Sequence, residues 1–398
     1  MATGTAAHQS PPPFEGADIV REYGVAFRAT HRVSQEQARV LRAIAQCRTA
    51  ALGGHVEVCE KWGTERLGYD SCRNRHCPKC QGSARAKWLA AEQALLLPIP
   101  YFHGVFTLPH RLNPLIRVNQ RLLYDLLFQT AAQTLQAFAR DPEHLGAELG
   151  ITAVLHTWGQ TLTEHVHVHC IVTGGGLSPD GTQWRAGRRR FLFAVQALGH
   201  VFRGKYVAGL ERLRTQHRLT FTGESALLTE DTAWTAFRHH LYANPWLVYA
   251  KPPWGSPTQV LKYLSRYTHR VAIANSRLVF VGNGVVRFRS KDYAAESTTK
   301  VMELRAEEFL RRFLLHVVPP HFVRIRHFGL LANRTRQEKL ARCRQLLAVT
   351  AAAATALLPT QNGETPGAAE VAPVRCPTCG GGPMRRIAVL APQPGIPP

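Results

Sequence analysis

The 398-residue sequence has no run of apolar residues long enough to cross a lipid bilayer. It also lacks the basic start and apolar core of a secretion signal, because residues 1–13 are small, polar and rich in proline. We therefore expect a cytoplasmic protein with no membrane partner. No internal repeat is visible, and the length predicts two or three domains with real cores.

Acidic residues are scarce: 27 Asp and Glu stand against 49 Lys and Arg, which gives a formal net charge of +22. Arginine supplies most of the excess, in clusters at residues 188–190, 311–312, 324–326 and 385–386. The arginine fork suits both phosphates and base edges, and each neutralised phosphate releases counterions. The composition thus predicts salt-dependent binding to nucleic acid and a place in the nucleoid.

Three compositional zones divide the chain, and their expected boundaries are 1–97, 98–330 and 331–398. The first zone holds five cysteines, the second alternates strand-like and helix-like runs, and the third joins a basic helix to an Ala- and Pro-rich linker. Helices are predicted over residues 257–270 and 298–314, among others. We expect an α+β fold with a central antiparallel sheet packed by helices and preceded by a small zinc-binding domain.

Three histidines alternate with valines between residues 165 and 169. Alternation along a strand places His165, His167 and His169 on one face and the valines on the other. Neutral imidazoles two residues apart can converge on one divalent cation. The pattern therefore predicts a metal site, the alternative being a half-buried strand whose polar face is histidine by chance.

The nine cysteines are clustered among basic residues, which favours metal ligation over a disulfide scaffold. Cys77 and Cys80 form a Cys-x-x-Cys turn of the kind that presents two thiolates to one zinc. A paired turn after Cys59 is incomplete, because Trp62 stands at its second cysteine position. One or two zinc sites are predicted, with His55 or Cys72 available to complete a shell. The candidate ligands are Cys59, Cys72, Cys77, Cys80, His55 and His76, with Cys47 further upstream.

Basic residues lie around these cysteines, and contact with DNA is predicted for Arg73, Arg75 and Lys79. At the other end of the chain, Cys376 and Cys379 supply only half a zinc shell. They could pair with distant ligands, with another chain or with nothing.

Residues 256–270 predict a helix, because Ser256 suits the N-cap and a proline follows at the first turn. Tyr263 and Tyr267 fall one turn apart on one stripe, and Gln259 lies one turn before them. Beside this stripe lie the guanidinium groups of Arg266 and Arg270, for which contact with DNA is also predicted. Either the tyrosines pack into a core, or they bring two nucleophiles to one phosphate.

The second reading makes chemical sense when it is combined with the histidines. A phenol with a pKa near 10 is a poor nucleophile and needs a cation to polarise the phosphate. Attack by tyrosine on a DNA phosphate would give a covalent phosphotyrosine and a free hydroxyl, and would store the bond energy for rejoining. The third metal ligand beside His167 and His169 could be His165 or Gln259.

These motifs together resemble the rolling-circle insertion-sequence transposases, which are two-tyrosine HUH endonucleases with a zinc-binding N-terminal domain. The similarity spans about residues 40–345 and the terminal Cys-x-x-Cys. Its motifs occur in the family's order at residues 53–55, 71–80, 165–169, 174–177, 263–270 and 326–334.

The resemblance implies an HUH nuclease core that acts on single-stranded DNA at the transposon ends and at the target. It implies His167 and His169 as the metal-binding pair, Mg²⁺ or Mn²⁺ as the ion, and Tyr263 and Tyr267 as the nucleophiles. Trp62 departs from the family, which usually has cysteine there. Two alternatives remain: a plasmid replication initiator or relaxase with the same chemistry, and a non-catalytic zinc-dependent DNA-binding protein.

Overall fold

The protein is seen in a computed structural model that describes residues 13–188, 192–251, 259, 272–292, 298–355, 376, 378–379 and 382–393. The predicted tyrosine helix, apart from Gln259, lies outside the described residues, as does most of the predicted linker.

The helices, numbered along the described chain, are α1 Gly16–Thr30, α2 Gln35–Gln46, α3 Gln81–Leu95, α4 Asn113–Val118, α5 Gln120–Arg140, α6 Val195–Thr215, α7 Asp231–Ala243, α8 Ala306–Leu315 and α9 Arg336–Thr355. The strands are β1 Gly54–Cys59, β2 Glu65–Tyr69, β3 Tyr101–Thr107, β4 Glu148–Trp158, β5 Glu164–Leu177, β6 Trp184–Ala186, β7 Val248–Lys251, β8 Leu278–Gly282, β9 Val285–Asp292, β10 Thr298–Arg305, β11 Ile325–Gly329 and β12 Met384–Leu390.

The main sheet is antiparallel and has the strand order β11-β4-β5-β3-β7, with β6 paired to the far end of β5. Val166, Val168 and Cys170 of β5 point to one face, where they join a large apolar core with residues of α5, α6 and α7. The fold class predicted from the sequence, an α+β protein with antiparallel strands packed by helices, is confirmed.

The opposite face of this sheet is covered over only part of its length. Near the end of β5, Ile171 and Leu177 pack with Trp88 of α3 and Leu340 of α9. The histidines at the start of β5 lie on the same face, because residues of equal parity share a side of the strand. The histidine end of the face instead borders a cavity that residues of the second sheet also line.

The second sheet has the order β10-β9-β8 and belongs to a separate apolar core. The core includes Ile19 of α1, Leu41 of α2, Phe288 of β9 and Phe309 of α8. The two N-terminal helices therefore pack against residues from the middle of the chain. The three-part division at residues 97 and 330 stays a prediction.

The third sheet has the order β12-β1-β2, so the last described strand pairs with the first. The pairing joins residues more than 300 positions apart in the sequence, with Gly54 opposite Leu390 and Cys59 opposite Met384.

One secondary-structure prediction is wrong. Residues 298–314 were expected to form a single helix, but the first eight form β10, and α8 begins only at Ala306. The segment from Thr298 to Arg305 pairs residue by residue with β9. Strand pairing over this length satisfies the backbone and outweighs the helical pattern read from the apolar positions.

Within the parts of the chain that the structure describes, no helix has the length and apolar character needed to span a membrane.

Candidate metal centres

Three imidazoles converge on the face of the main sheet opposite the large apolar core. The side chains of His156, His167 and His169, the histidine cluster, each place a ring nitrogen within 4.8 Å of the other two. His167 and His169 come from β5 as predicted, whereas His156 comes from β4, where it lies directly opposite His167. This spacing would allow one cation to bind all three nitrogens.

Hydrogen bonds orient two of the rings. The Nδ1 atom of His167 lies 2.7 Å from the backbone oxygen of His165, to which it donates. The Nδ1 atom of His169 lies 2.8 Å from Nε2 of His103 on β3. The Nε2 atoms of His167 and His169 are left facing each other at 3.1 Å. Each ring therefore presents its second nitrogen to the centre of the cluster, as metal-binding histidines do.

The surroundings keep these rings neutral. Burial, reinforced by the imidazole of His165, lowers the pKa of His167 to about 3. Burial, followed by the neighbouring imidazole of His156, also holds the pKa of His169 well below its ordinary value. Neutral imidazoles have a free lone pair at pH 7, so protons do not compete with a cation for them.

The other two predicted ligands differ in their placement. The Nδ1 atom of His165 lies 3.1 Å from Nε2 of His110, and His165 is not part of the histidine cluster. Gln259 is exposed and lies between two undescribed stretches, so its part in a metal shell stays a prediction. Tyr263, Tyr267, Arg266 and Arg270 lie outside the described residues.

Sequence reasoning missed His156 and His103. The short connection at residues 159–163 makes β4 and β5 a hairpin, and residues equally far from its turn pair with each other. Counting outward from that turn places His156 opposite Val166, one residue short of His167, and only the register shift between His156 and Trp158 brings it opposite His167. The hairpin signal therefore predicts that His156 lies near the histidines, but not that it shares their face. His103 has no such signal, because β3 reaches β5 only through the tertiary fold.

A cavity of about 500 Å³ opens in front of the histidine cluster. Its far wall includes Arg289 and Lys291 of the second sheet and Arg277, which lies just before β8. Arg277 is fixed in place because its guanidinium donates to the backbone oxygens of Arg289 and Gln160. Arg289 and Lys291, called the basic rim below, are exposed. The cavity therefore has imidazoles on one wall and cations on the other.

A larger cavity, of about 910 Å³, lies between α9 and the end of β5. Its lining includes Glu148, Asp180, Lys339 and Arg342, but neither histidine nor cysteine. We assign the functional site to the smaller of these two cavities, because a group of potential metal ligands, the histidine cluster, converges there.

Four cysteines form a second convergence. The sulfurs of Cys47, Cys72, Cys77 and Cys80, the four-cysteine cluster, all lie within 4.8 Å of one another. Cys47 follows the last residue of α2, and Cys80 precedes the first residue of α3. The end of one helix and the start of the other therefore bring these two cysteines together. The Sγ atoms of Cys47 and Cys80 are 3.2 Å apart, and those of Cys72 and Cys80 are 3.5 Å apart.

These distances suit zinc, since four Zn–S bonds of about 2.3 Å give sulfur–sulfur edges of about 3.8 Å. Hydrogen bonds from Cys72 and Cys77 lower the pKa of Cys47, whereas the hydrogen bond to Cys47 raises the pKa of Cys72 and that of Cys77. The Cys47 thiol thus ionises readily whereas those of Cys72 and Cys77 resist ionisation, so a divalent cation would be needed to ionise these two as well.

The predicted set of zinc ligands is split by the structure. Cys72, Cys77 and Cys80 lie together and gain Cys47, but Cys59 lies with Cys376 and Cys379 in a separate three-cysteine cluster. The side chains of His55 and His76 are in neither cluster.

Each of these histidines has another partner. His55 Nε2 lies 3.4 Å from a carboxylate oxygen of Glu57. The buried ring of His76 contacts Asn74 through Nδ1 and accepts from the Val318 amide through Nε2. Because both ring nitrogens of His76 are used, it has no lone pair left for a metal.

Two of the three described residues predicted to contact DNA have internal partners. Arg75 donates to the backbone oxygen of Phe322, and Lys79 forms an ion pair of 2.6 Å with Glu15. Arg73 is exposed. Their contact with DNA stays a prediction.

Comparison with known proteins agrees with this arrangement. Residues 19–108, which contain the four-cysteine cluster, match a family described as a transposase zinc-binding domain. Residues 150–339, which contain the histidine cluster, match a family described as "Putative transposase". No solved structure matches the chain significantly.

Two relatives are similar over most of their length. The chain is 51% identical over 337 residues to "Putative transposase y4qJ" of Sinorhizobium fredii, covering 84% of this chain and 85% of the relative. It is 31% identical over 298 residues to "Transposase for insertion sequence element IS801" of Pseudomonas savastanoi pv. phaseolicola, covering 72% and 68%. The resemblance to insertion-sequence transposases is thereby confirmed, and the chain belongs to the IS91/IS801 family of transposases with an N-terminal zinc-binding domain.

Proposed function

We propose that this transposase cleaves and rejoins single-stranded DNA through a covalent phosphotyrosine, and that it moves an insertion sequence by a rolling-circle mechanism. The observation that carries the proposal is the convergence of His156, His167 and His169 at a cavity with a basic rim. Family membership supplies the substrate class, DNA, and the reaction class, cleavage and strand transfer.

The histidine cluster is the proposed site of the catalytic cation. Three imidazoles fit a divalent transition ion, and of Mg²⁺ and Mn²⁺ they favour Mn²⁺, because Mg²⁺ prefers an all-oxygen shell. When bound, such an ion withdraws charge from the phosphate oxygens and so assists nucleophilic attack. His103 and the backbone oxygen of His165 serve as positioning groups that hold two of the rings.

Tyr263 and Tyr267 are the proposed nucleophiles. The phenolic oxygen of one of them forms a bond to the phosphorus as its proton leaves, and the bridging P–O bond breaks. The released sugar oxygen takes up a proton and becomes a free hydroxyl. The reverse attack by a hydroxyl on the phosphotyrosine rejoins the strand. Two tyrosines allow one to cleave the donor strand and the other the target.

The basic rim is the proposed track for the backbone of the single strand. Arg289 and Lys291 lie on one face of β9, because residues two apart share a side, and both border the cavity of the histidine cluster. Their charges would hold phosphates beside the reacting one without reading the base sequence. Zinc bound by the four-cysteine cluster would stabilise the folded N-terminal region, as structural zinc does.

The test is incubation of the full-length protein with single-stranded DNA from a transposon end and Mn²⁺. We expect a protein–DNA adduct that survives denaturation, that is lost in Tyr263→Phe/Tyr267→Phe, and that persists in the control Tyr242→Phe. Tyr242 is an exposed residue of α7 that lines neither metal cluster. If the wild-type protein forms no adduct, the nuclease proposal fails and the non-catalytic DNA-binding alternative stands. If the double variant still forms an adduct, the two tyrosines are not the nucleophiles.

A further inference from the structure

The three-cysteine cluster lies where the two ends of the described chain meet. Strand β12 runs antiparallel to β1, with Met384 opposite Cys59. The backbone amide of Glu60 donates to Pro383 in the same region. Two turns therefore face each other, one following β1 and the other preceding β12. Cys59 is the last residue of β1, where the first turn begins, and Cys376 and Cys379 come from the second turn.

The sulfur geometry is that of a metal site. All three sulfurs lie within 4.8 Å of one another, and the Sγ atoms of Cys59 and Cys379 are 3.7 Å apart. This distance matches the edge of about 3.8 Å expected in a zinc tetrathiolate and is far longer than the bond of about 2.05 Å in a disulfide. Cys59 and Cys376 are each only 1% exposed, although most of the sheet around them faces solvent.

Backbone amides are directed at the sulfurs from both turns. Burial raises the pKa of the Cys59 thiol, and the backbone amides of Lys61 and Trp62 offset part of that rise. The amide of Gly382 lies 3.4 Å from the sulfur of Cys379, and its carbonyl accepts from the amide of Cys376. Donors of this kind stabilise thiolates, the form of cysteine that binds metal.

The approach of the two turns requires a glycine at position 382. A Cβ atom there would lie 2.7 Å from Sγ of Cys59 and 3.0 Å from Cβ of Lys61. The turn before β12 is thus fitted against the turn after β1, and the sulfurs meet in the space between them.

Trp62 stands where the first turn would present its second cysteine, and its side chain is 69% exposed. Among the histidine, cysteine, aspartate and glutamate side chains that the structure describes, none joins these three sulfurs as a fourth ligand. The neighbouring Pro377, Gly380 and Gly381 have no ligand atom in their side chains.

We infer that Cys59, Cys376 and Cys379 form a second zinc site, separate from the four-cysteine cluster, with three thiolates and a fourth position open to water beside Trp62. Such a site would attach β12 to β1 and so hold together the segments on either side of residues 356–375. Binding releases the thiol protons to solvent, and the thiolate charge is balanced by the cation and the surrounding amide donors.

The first test is the zinc content of the full-length protein purified under reducing conditions. We expect two zinc ions per chain in the wild type, one in Cys376→Ser/Cys379→Ser, and two in the control Cys343→Ala. Cys343 is a buried residue of α9 that belongs to neither cluster. A wild-type content of one that the double variant leaves unchanged would overturn the proposal, as would a disulfide joining any two of the three cysteines.

A second measurement separates loss of the site from loss of folding. Hydrogen exchange should become faster in β12 and β1 of the double variant while the main sheet keeps its protection, because the second site joins only these two strands. Unchanged protection of β12 would contradict the proposed attachment. A variant with two zinc ions and fast exchange in β12 would contradict it as well.

The open fourth position has its own test. In Trp62→Cys the new thiolate would complete the shell, so one of the two zinc ions should pass to a competing chelator at least several-fold more slowly than in the wild type. With Co²⁺ in place of zinc, the visible spectrum of Trp62→Cys should match two tetrathiolate sites, whereas the wild type should show one tetrathiolate and one mixed site. Equal release rates and equal spectra would refute the open position.

Discussion

His156 of β4 lies directly opposite His167 of β5, and this pairing turns a two-histidine strand into a three-imidazole site. The hairpin that joins the two strands holds the pair in register. The tip of this hairpin is anchored elsewhere, because Leu162 is buried in the second apolar core and its backbone oxygen lies 3.0 Å from Nε2 of His316. The arrangement of the histidine cluster therefore depends on contacts outside the main sheet.

Replacing His156 should cost the site one of its three nitrogens. We expect His156→Ala to bind Mn²⁺ at least ~10-fold more weakly than the wild type and to form correspondingly less DNA adduct. Titration with Mn²⁺, followed by calorimetry, measures the first effect. The matched control is His239→Ala, at an exposed position of α7. Equal Mn²⁺ affinity in His156→Ala and the wild type would show that β5 binds the ion without β4.

His103 should act through His169 rather than on the metal itself. His103→Phe keeps a buried ring but removes the partner of Nδ1 of His169, so we expect Mn²⁺ affinity to fall by about 10- to 100-fold. His103→Gln can still accept a hydrogen bond and should restore part of the affinity. If both variants bind Mn²⁺ as tightly as the wild type does, the hydrogen bond of 2.8 Å between His103 and His169 has no positioning role.

Loss of Cys47 should remove the zinc of the four-cysteine cluster. In Cys47→Ser we expect one zinc ion fewer per chain and a melting temperature lower by at least about 5 °C, the shift that corresponds to ~2 kcal/mol or more. Zinc analysis and thermal unfolding measure the two effects. Full zinc content in Cys47→Ser would exclude Cys47 as a ligand and return the fourth position to another residue.

Phosphate contacts on the basic rim should appear in the salt dependence of binding. Replacing Lys291 with alanine should weaken binding to single strands of any sequence and lower the slope of log K against log salt by about 0.7. The control is Arg287→Ala, because Arg287 lies on the same face of β9 but does not line the cavity and pairs with Glu303 at 2.6 Å. An unchanged slope in Lys291→Ala would place the DNA elsewhere.

The buried imidazole of His316 should make stability depend on pH. Burial lowers its pKa from the ordinary 6.5 to about 4. Its Nε2 donates to Leu162, while its Nδ1 accepts from the hydroxyl of Thr157, so the folded state holds it neutral. Below pH 6.5 the unfolded chain takes up a proton that the folded protein refuses. The contribution of His316 to stability is thus complete above pH 6.5 and decreases as the pH falls towards 4.

His316→Gln keeps hydrogen-bonding groups at this position but does not titrate. Between pH 6 and pH 4.5 its free energy of unfolding should fall less steeply than that of the wild type, by about 1.4 kcal/mol per pH unit. Urea unfolding at stepped pH values gives both slopes. Parallel curves for the two proteins would mean that His316 is already neutral in the unfolded chain or charged in the folded protein.

Local patterns in the sequence determined several features of this protein. Alternation fixed the shared face of His165, His167 and His169, because a strand has a period of two whatever surrounds it. The Cys-x-x-Cys turn fixed the proximity of Cys77 and Cys80, since the chain between them is too short to separate them. The mixture of strand and helix periods gave the α+β class, and the order of motifs gave the family.

The tertiary structure alone decided which distant residues complete each site. Cys47 joins Cys80 because two helices end at the same place, and Cys59 turns away to Cys376 and Cys379 because β12 pairs with β1. His103 reaches His169 from a strand far away in the sequence. No periodicity encodes such contacts, since they depend on how whole strands and helices pack. The sequence specified the kinds of ligand, and packing selected their partners.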